Sequence, residues 1–312
     1  MKILGLTCGR NMGNSEILLK EALMAAEELG VEYEMIRLHD LNIKPCVGCN
    51  GCILSASKGG TGDCVALKDD DMDFFREKFL ECDGIIISAP AFNNTAPGLF
   101  RLLGDRCGPA FDREMKRYAE ARGATIDQRW YKPRVAAWIM VGGGPISHLH
   151  TGLPLMFHFS KSVQARQVDR MAAPLCPAPG QVLMHPDYIE RAAQLGRNLV
   201  SQMGKPEDEV EWLGGDDYVC PHCRSTMLVI GENNECRCAT CGRPGHLVVN
   251  ADGNVAMEFD PDVKPVDDPE YRIKHFDSII QRHEDFKEYI NDNKDKFDRY
   301  RNFGTFSKPE RK

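Results

Sequence analysis

The sequence predicts a doubly wound α/β domain on a five-stranded parallel sheet, followed by a small β module and a helical tail. Three observations predict this. Short apolar runs alternate with segments of helical periodicity through roughly the first two hundred residues. The run Gly84–Ala89 contains three consecutive isoleucines, as expected of a strand buried on both faces. Beyond it, an acidic, glycine-containing stretch gives way to a cysteine-rich segment with turn residues between short β-type runs.

Taken in order, Lys2–Leu6 is an apolar run that ends in the loop Thr7–Asn14. Leu18, Ala22, Ala25 and Leu29 then recur at helical spacing until Gly30. Glu34–Leu38 reads as the second strand and segment 44–65 as a cysteine-bearing loop. A helix over Asp69–Glu81, a strand at Gly84–Ala89 and a helix around Gly98–Arg106 come next. A strand at Val135–Val141, a glycine run and a helix near Leu153–Ser162 follow, then a strand near Gln164–Met171 and a helix over Pro186–Met203. Strands separated by helices pair in parallel through right-handed crossovers. Residues 1–204 are therefore expected to form one domain and 205–217 a linker. A β module is expected over 218–260, with runs Met227–Ile230, Leu247–Asn250 and Val255–Phe259. Residues 261–312 read as a polar helical tail whose stripe Ile273, Phe276, Ile280, Phe286 and Ile290 suits a packing or oligomer face.

A net charge of −7 over 312 residues argues against wholesale binding to nucleic acid or an anionic membrane, both of which select for a basic surface. The longest apolar stretch, Gly84–Phe92, is too short to span a bilayer. The apolar run Ile3–Leu6 leads straight into a polar loop, unlike a signal peptide, so a cytoplasmic protein is expected. Thirteen cysteines in such a chain, nine of them in two tight groups, read as metal sites rather than as a disulfide framework.

A loop joining the first parallel strand to the first helix points backbone N–H groups at whatever lies over the helix N-terminus, which favours an anion. Here Gly9 and Gly13 allow close approach, Thr7, Asn11, Asn14 and Ser15 offer side-chain donors, and Arg10 adds charge. The loop is neither G-x-G-x-x-G nor a Walker A, so a monophosphate suits it better than a triphosphate; a surface turn capped by Ser15 is the plain alternative. Ile3–Ser15 resembles the FMN phosphate loop of the NADPH-dependent FMN reductases and iron–sulfur flavoproteins, one residue shorter and without the common proline. Two further segments are similar to that family in the same order. Ser88–Phe100 followed by Gly104-Asp105-Arg106 resembles the loop bordering the flavin ring, and Val141–Pro145 resembles the glycine loop after the fourth strand. The resemblance covers roughly residues 1 to 203. It implies a flavodoxin-like fold and FMN, with Thr7, Arg10, Asn11, Gly13, Asn14, Ser15, Pro90, Ala91, Phe92, Asn93, Gly142, Gly143 and Gly144 at the cofactor.

Cys46, Cys49 and Cys52, two residues apart on a loop, can point to one centre, and Cys64 supplies a fourth thiolate for a [4Fe–4S] cube. The family places a compact cysteine motif here, although the eleven residues between Cys52 and Cys64 exceed its spacing; zinc or free reduced thiols are the rivals. Cys220-x-x-Cys223 and Cys238-x-x-Cys241, fourteen residues apart, form two knuckles that close one S₄ site, with Cys236 as a bystander. Zinc is the default metal and a rubredoxin-like iron its rival; Arg224, where a rubredoxin knuckle has glycine, speaks for zinc.

Arg113–Arg134 holds seven Lys or Arg against three acidic residues, which suggests either a basic lid receiving an anionic substrate or donor, or a solvated helix. His148, His150 and His158 follow the glycine loop, where one could serve as a proton donor near the flavin or all could be structural or solvent-facing; none stands out as a catalytic acid or base. The expected function is redox: an iron–sulfur flavoprotein passing electrons from NAD(P)H or ferredoxin to a small-molecule or protein acceptor. The resemblance also implies a homodimer or homotetramer. The alternatives are an NAD(P)H-dependent flavin or quinone reductase without the cluster, and a regulatory or scaffold protein acting through a zinc ribbon.

Overall fold

The computed structural model describes residues 1–215, 220–260, 262–301 and 303–304; the end of the expected linker, the start of the β module and the end of the tail lie outside these. Five strands, β1 (Lys2–Thr7), β2 (Glu32–Arg37), β3 (Gly84–Pro90), β4 (Arg134–Val141) and β5 (Ala165–Ala173), form one parallel sheet in the order β2-β1-β3-β4-β5. Every residue of β4 is buried, as are Ile85, Ile86 and Ile87 of β3, which explains their unbroken apolar character. β1 pairs with both β2 and β3, so crossovers leave it in opposite directions. The crevice at the carboxyl ends of β1 and β3 is thus the switch point where open sheets bind ligands.

Helices α1 (Asn14–Glu27) and α7 (Pro186–Gln202) cover one face through Leu18, Leu19, Leu23, Leu195 and Leu199. Gly196 is where they meet: a Cβ there would lie 2.0 Å from the Ala22 carbonyl oxygen. We expect Gly196→Ala to destabilise the fold by about 3 kcal/mol through overpacking. Gly98→Ala, with open space around its Cβ position, should cost nothing. Urea denaturation of the two variants checks the contrast, and equal midpoints would refute it.

The other face carries α3 (Met72–Glu81), α4 (Gly98–Cys107), α5 (Arg113–Glu120) and α6 (Gly152–Val163), with Phe75, Phe79, Phe100, Phe159 and Trp138 in the core. Short helix α2 (Gly51–Ala56) lies within the cysteine-bearing segment read from the sequence as loop. The antiparallel strands β6 (Leu228–Ile230), β7 (Glu235–Cys238), β8 (Pro244–Val249) and β9 (Val255–Phe259) form the small sheet in that order. β7 escaped the sequence reading because its apolar positions are cysteines. In the tail, α8 (Pro269–Asp292) buries Phe276 in the main core, with Ile273 and Ile280 packed beside it, and α9 (Lys294–Arg301) follows. Asp268 caps α8, accepting from the Glu270 and Tyr271 N–H groups. Phe286, from the same sequence stripe, is 47% exposed.

The basic stretch 113–134 is not a free lid. Lys116 is fully buried and pairs with Asp63 (2.7 Å), Arg129 with Asp127 and Glu77, and Lys132 with Asp83. Arg113 bonds Glu207, Arg117 bonds Glu114, and Arg122 lies 3.4 Å over the Tyr118 ring. Arg134 donates to the carbonyls of Phe79, Leu80, Cys82, Arg129 and Lys132. The local charge excess holds the domain together instead of facing an incoming anion.

Candidate flavin and metal sites

β1 ends at Thr7, and residues 8–13 turn the chain into α1. The Gly13 N–H donates to the Arg10 carbonyl (3.0 Å), and Gly13 precedes the helix in extended conformation. No side chain caps this N-terminus, so the first-turn N–H groups and the positive end of the helix remain available to an anion. Thr7 and Ser15 are buried, and the Thr7 Oγ1 accepts from the Gly9 N–H (3.1 Å). A Cβ at Gly9 would come 3.1 Å from the Ser15 Cβ, so glycine is what lets the loop close onto the helix. Glu16, also buried, is an anion in the first turn of the helix. Burial favours its neutral form, but hydrogen bonds from Lys20 and Arg37 prevail and hold its carboxyl below the usual range.

Two of the nominated side chains are engaged elsewhere. Asn14 donates to the carbonyls of Cys176 and Ala178 (both 2.8 Å) and accepts from the Val182 N–H (3.2 Å). Its side chain therefore anchors the loop after β5, leaving only its backbone N–H for an anion. Asn11, exposed like Arg10, accepts from Arg37 (3.1 Å). The loop after β5 went unnoticed in the sequence; Asn14 was its only trace, and its amide looked like an anion ligand.

Pro90 closes β3, and the Ala91 N–H donates to the Val141 carbonyl (2.7 Å). Asn93 and Asn94 take left-handed conformations (φ 50° and 62°), making a tight turn under the exposed Phe92, and Thr151 at the start of α6 bonds the Asn94 carbonyl. After β4, the Gly142 and Gly144 carbonyls accept from Cys176 and Leu175 (both 2.9 Å). A Cβ would lie 2.6 Å from Leu149 at Gly142, 3.2 Å from Pro177 at Gly143 and 2.2 Å from the His148 ring at Gly144. Three loops thus converge at the carboxyl ends of β1, β3 and β4. An uncapped helix start beside bare glycine backbone fits a flavin monophosphate. His148 and His150 flank this end exposed, whereas His158 lies further along α6.

The first cysteine group straddles α2. Cys46 and Cys49 are exposed; Cys52 and Cys64 are half-buried. Burial raises the pKa of the Cys52 thiol, and Cys64 and Cys49 add to the rise, yet the four sulfurs of this group do not converge within 4.8 Å as those of the second group do. Arg106, salt-bridged to Asp70, lines the same cavity as Cys64. Cys46 lines a different cavity, with Arg101 and His158, from the one Cys64 lines with Asp63 and Arg76. α8 packs over this segment, where Asn50 meets His283 at 3.0 Å.

The second group converges. Among the described residues, the Cys220, Cys223, Cys238 and Cys241 sulfurs are the one set lying within 4.8 Å of one another, and all four residues are buried. Cys220 and Cys241 are 3.8 Å apart, Cys223 and Cys238 3.4 Å. Zinc–thiolate bonds of about 2.3 Å in a tetrahedron give an edge of about 3.8 Å, so the cage fits one ion. After the knuckles, Arg224 (φ 58°) and Gly242 (φ 72°) are both left-handed, and the Cys241 N–H donates to the Cys238 sulfur (3.5 Å). Hydrogen bonding from Cys223 lowers the pKa of the Cys220 thiol, towards the thiolate that a metal needs. Cys236 stays outside the cage, buried in the ribbon core with Met257 and Phe157 of α6.

Residues 1–173 match the family described as NADPH-dependent FMN reductase. The chain belongs to that family. Among the reductase's relatives, Flavone synthase cfoJ of Aspergillus candidus is 30% identical over 268 residues, 83% of this chain and 82% of that protein. An iron-sulfur flavoprotein of Methanocaldococcus jannaschii is 36% identical over 110 residues, covering 35% of this chain and 53% of the archaeal protein. A solved structure titled flavone reductase superposes with a TM-score of 0.83 at 27% identity, covering 99% of this chain and all of that one. The flavodoxin-like fold with an appended small antiparallel sheet is therefore established, as is a flavin-dependent oxidoreductase. No described helix is long and apolar enough to cross a membrane.

Proposed function

We propose that this chain is an FMN-dependent reductase that draws hydride from a nicotinamide dinucleotide and delivers it to a planar, flavone-like acceptor, with structural zinc in the ribbon. The observation that carries this reading is the likeness to the flavone reductase, which extends over 99% of the chain, ribbon and tail included. Bound FMN would supply a ring able to take up and hand on a hydride. The chain's own part is to hold and shield it. The uncapped start of α1, with Thr7 and Ser15, holds the phosphate, with Arg10 at the rim. Gly142, Gly143 and Gly144 would offer backbone groups to the ring edge, and Pro90, Ala91, Phe92 and Asn93 would border it. Beside the glycine loop, a cavity of about 220 Å³ lined by Leu149, His150, Leu153, Pro154 and Met171 offers apolar walls to a flat acceptor. The test is consumption of NADPH or NADH by the FMN-loaded protein with and without a flavone, with product masses recorded. Acceptor-dependent oxidation with a product gaining H₂ supports the proposal; oxidation indifferent to the flavone overturns it.

A second reading, electron transfer through an iron–sulfur cluster, draws on the Cys46, Cys49, Cys52 and Cys64 spacing and on the partial likeness to iron-sulfur flavoproteins. Metal analysis of anaerobically purified protein separates the two. Zinc alone, with flavin bands unaccompanied by a broad dithionite-bleached absorption, is the expected result. About four irons per chain would transfer the case to the cluster.

A further inference from the structure

A cavity of about 560 Å³ lies away from the three converging loops, between α4 and α6. Its lining includes Phe100, Arg101 and Asp105 of α4, His158 and Lys161 of α6, and Cys46 from the cysteine-bearing segment. Arg101 is steadied by Asp105 (2.8 Å). Lys161 and His158 sit on one side of α6, three residues apart, and both are partly buried. Among the described residues, neither the Lys161 ammonium nor the His158 imidazole has a hydrogen-bond or ion-pair partner. Burial lowers both pKa values; Asp267 and Cys241 only partly offset this for Lys161, while Lys161 and Arg101 lower His158 further against a small opposing effect of Cys238. A half-buried ammonium whose burial is only partly offset by nearby carboxylates is costly, and an anion beside it removes the cost.

We propose that the α4–α6 groove binds the phosphate-bearing nucleotide portion of the reduced nicotinamide donor, with Lys161, Arg101 and His158 as phosphate ligands. The groove has the size of a small-molecule site, which usually spans about 300–1,000 Å³. It starts where it needs to: α4 and α6 spring from the two loops proposed to border the flavin ring, and Thr151 ties those loops together through Asn94. At 1.5 Å per residue, Lys161 lies about 13 Å down α6 from Gly152, so a dinucleotide reaching it extends away from the ring along the groove. The inference rests on the reductase reading above for its donor, but the binding it predicts can be measured without turnover.

The experiment is calorimetric titration of the FMN-loaded protein with adenosine 2′,5′-bisphosphate, with AMP and with inorganic phosphate, on wild type, Lys161→Gln and Arg101→Gln. Flavin content and melting temperature serve as folding controls. Saturable binding of a nucleotide that competes with the reduced dinucleotide and weakens about tenfold or more in each variant is expected, the loss of one charge-assisted bond. Binding of inorganic phosphate as tight as that of the nucleotides would reduce the groove to a general anion site and overturn the assignment. Nucleotide binding indifferent to both substitutions would overturn it too. In either of those cases, flavin reduction by NADPH or NADH in wild type leaves the reductase reading intact; loss of flavin reduction with both donors defeats that reading instead.

Discussion

Cys238→Ser is expected to empty the ribbon's metal site. Structural zinc sites contribute about 10–16 kcal/mol of folding free energy to small domains, and this ribbon has little else. Its core consists of five cysteines, Met257 and Phe157 of α6, with Leu228, Leu247, Phe259 and Val266 at the margin. With one ligand lost, the remaining three buried thiols no longer balance a metal. We expect metal content to fall from one ion per chain towards none, and residues 220–260 to become sensitive to limited proteolysis. Flavin content should hold, because the converging loops belong to the other sheet. Cys236→Ser, two residues away in the same strand, should keep its metal, since Cys236 lies outside the cage. Equal metal content in the two variants would show that the four converging sulfurs are not the ligands.

Ser15→Asp should abolish FMN binding while leaving the fold intact. Ser15 is the second residue of α1 and is buried beside Gly9, where the loop closes over the helix start. If a bound phosphate lies about 4 Å from a carboxylate there, the repulsion at an effective dielectric of 20 is about 4 kcal/mol for unit charges. That corresponds to roughly a thousandfold in affinity. The same carboxylate favours the helix, since an acidic residue in the first turn is worth about 0.3–1 kcal/mol. Flavin content together with thermal melting separates the two effects. Retention of FMN by Ser15→Asp would place the phosphate elsewhere.

The fold was legible because a parallel sheet covered on both faces writes long apolar strands into a chain, and Gly84–Ala89 and Val135–Val141 are of that kind. The ribbon was legible for a different reason: ligand spacing is set by knuckle geometry, and the four sulfurs converge as their spacing implies. Less could be read where one residue type serves two purposes. Asn14 looks like an anion ligand in the sequence, but its amide holds the loop after β5. Arg113–Arg134 looks like a basic lid, yet its charges meet carboxylates, carbonyls and an aromatic ring contributed largely by distant segments. The stripe in the tail divides in the same way: Phe276 is buried in the domain core, while Phe286, ten residues on, is exposed.

By itself the sequence determined the parallel sheet, the anion-ready loop at the start of α1 and the four thiols of the ribbon. Each is written in residues near one another in the chain, through periodicity, a glycine loop or ligand spacing. Tertiary structure alone decided which polar groups are left without partners. It gave Lys116 to Asp63 and Asn14 to Cys176, and left Lys161 and His158 bare beside the α4–α6 cavity. Whether a charge is neutralised depends on what the fold brings to it from distant parts of the chain, and local sequence carries no record of that.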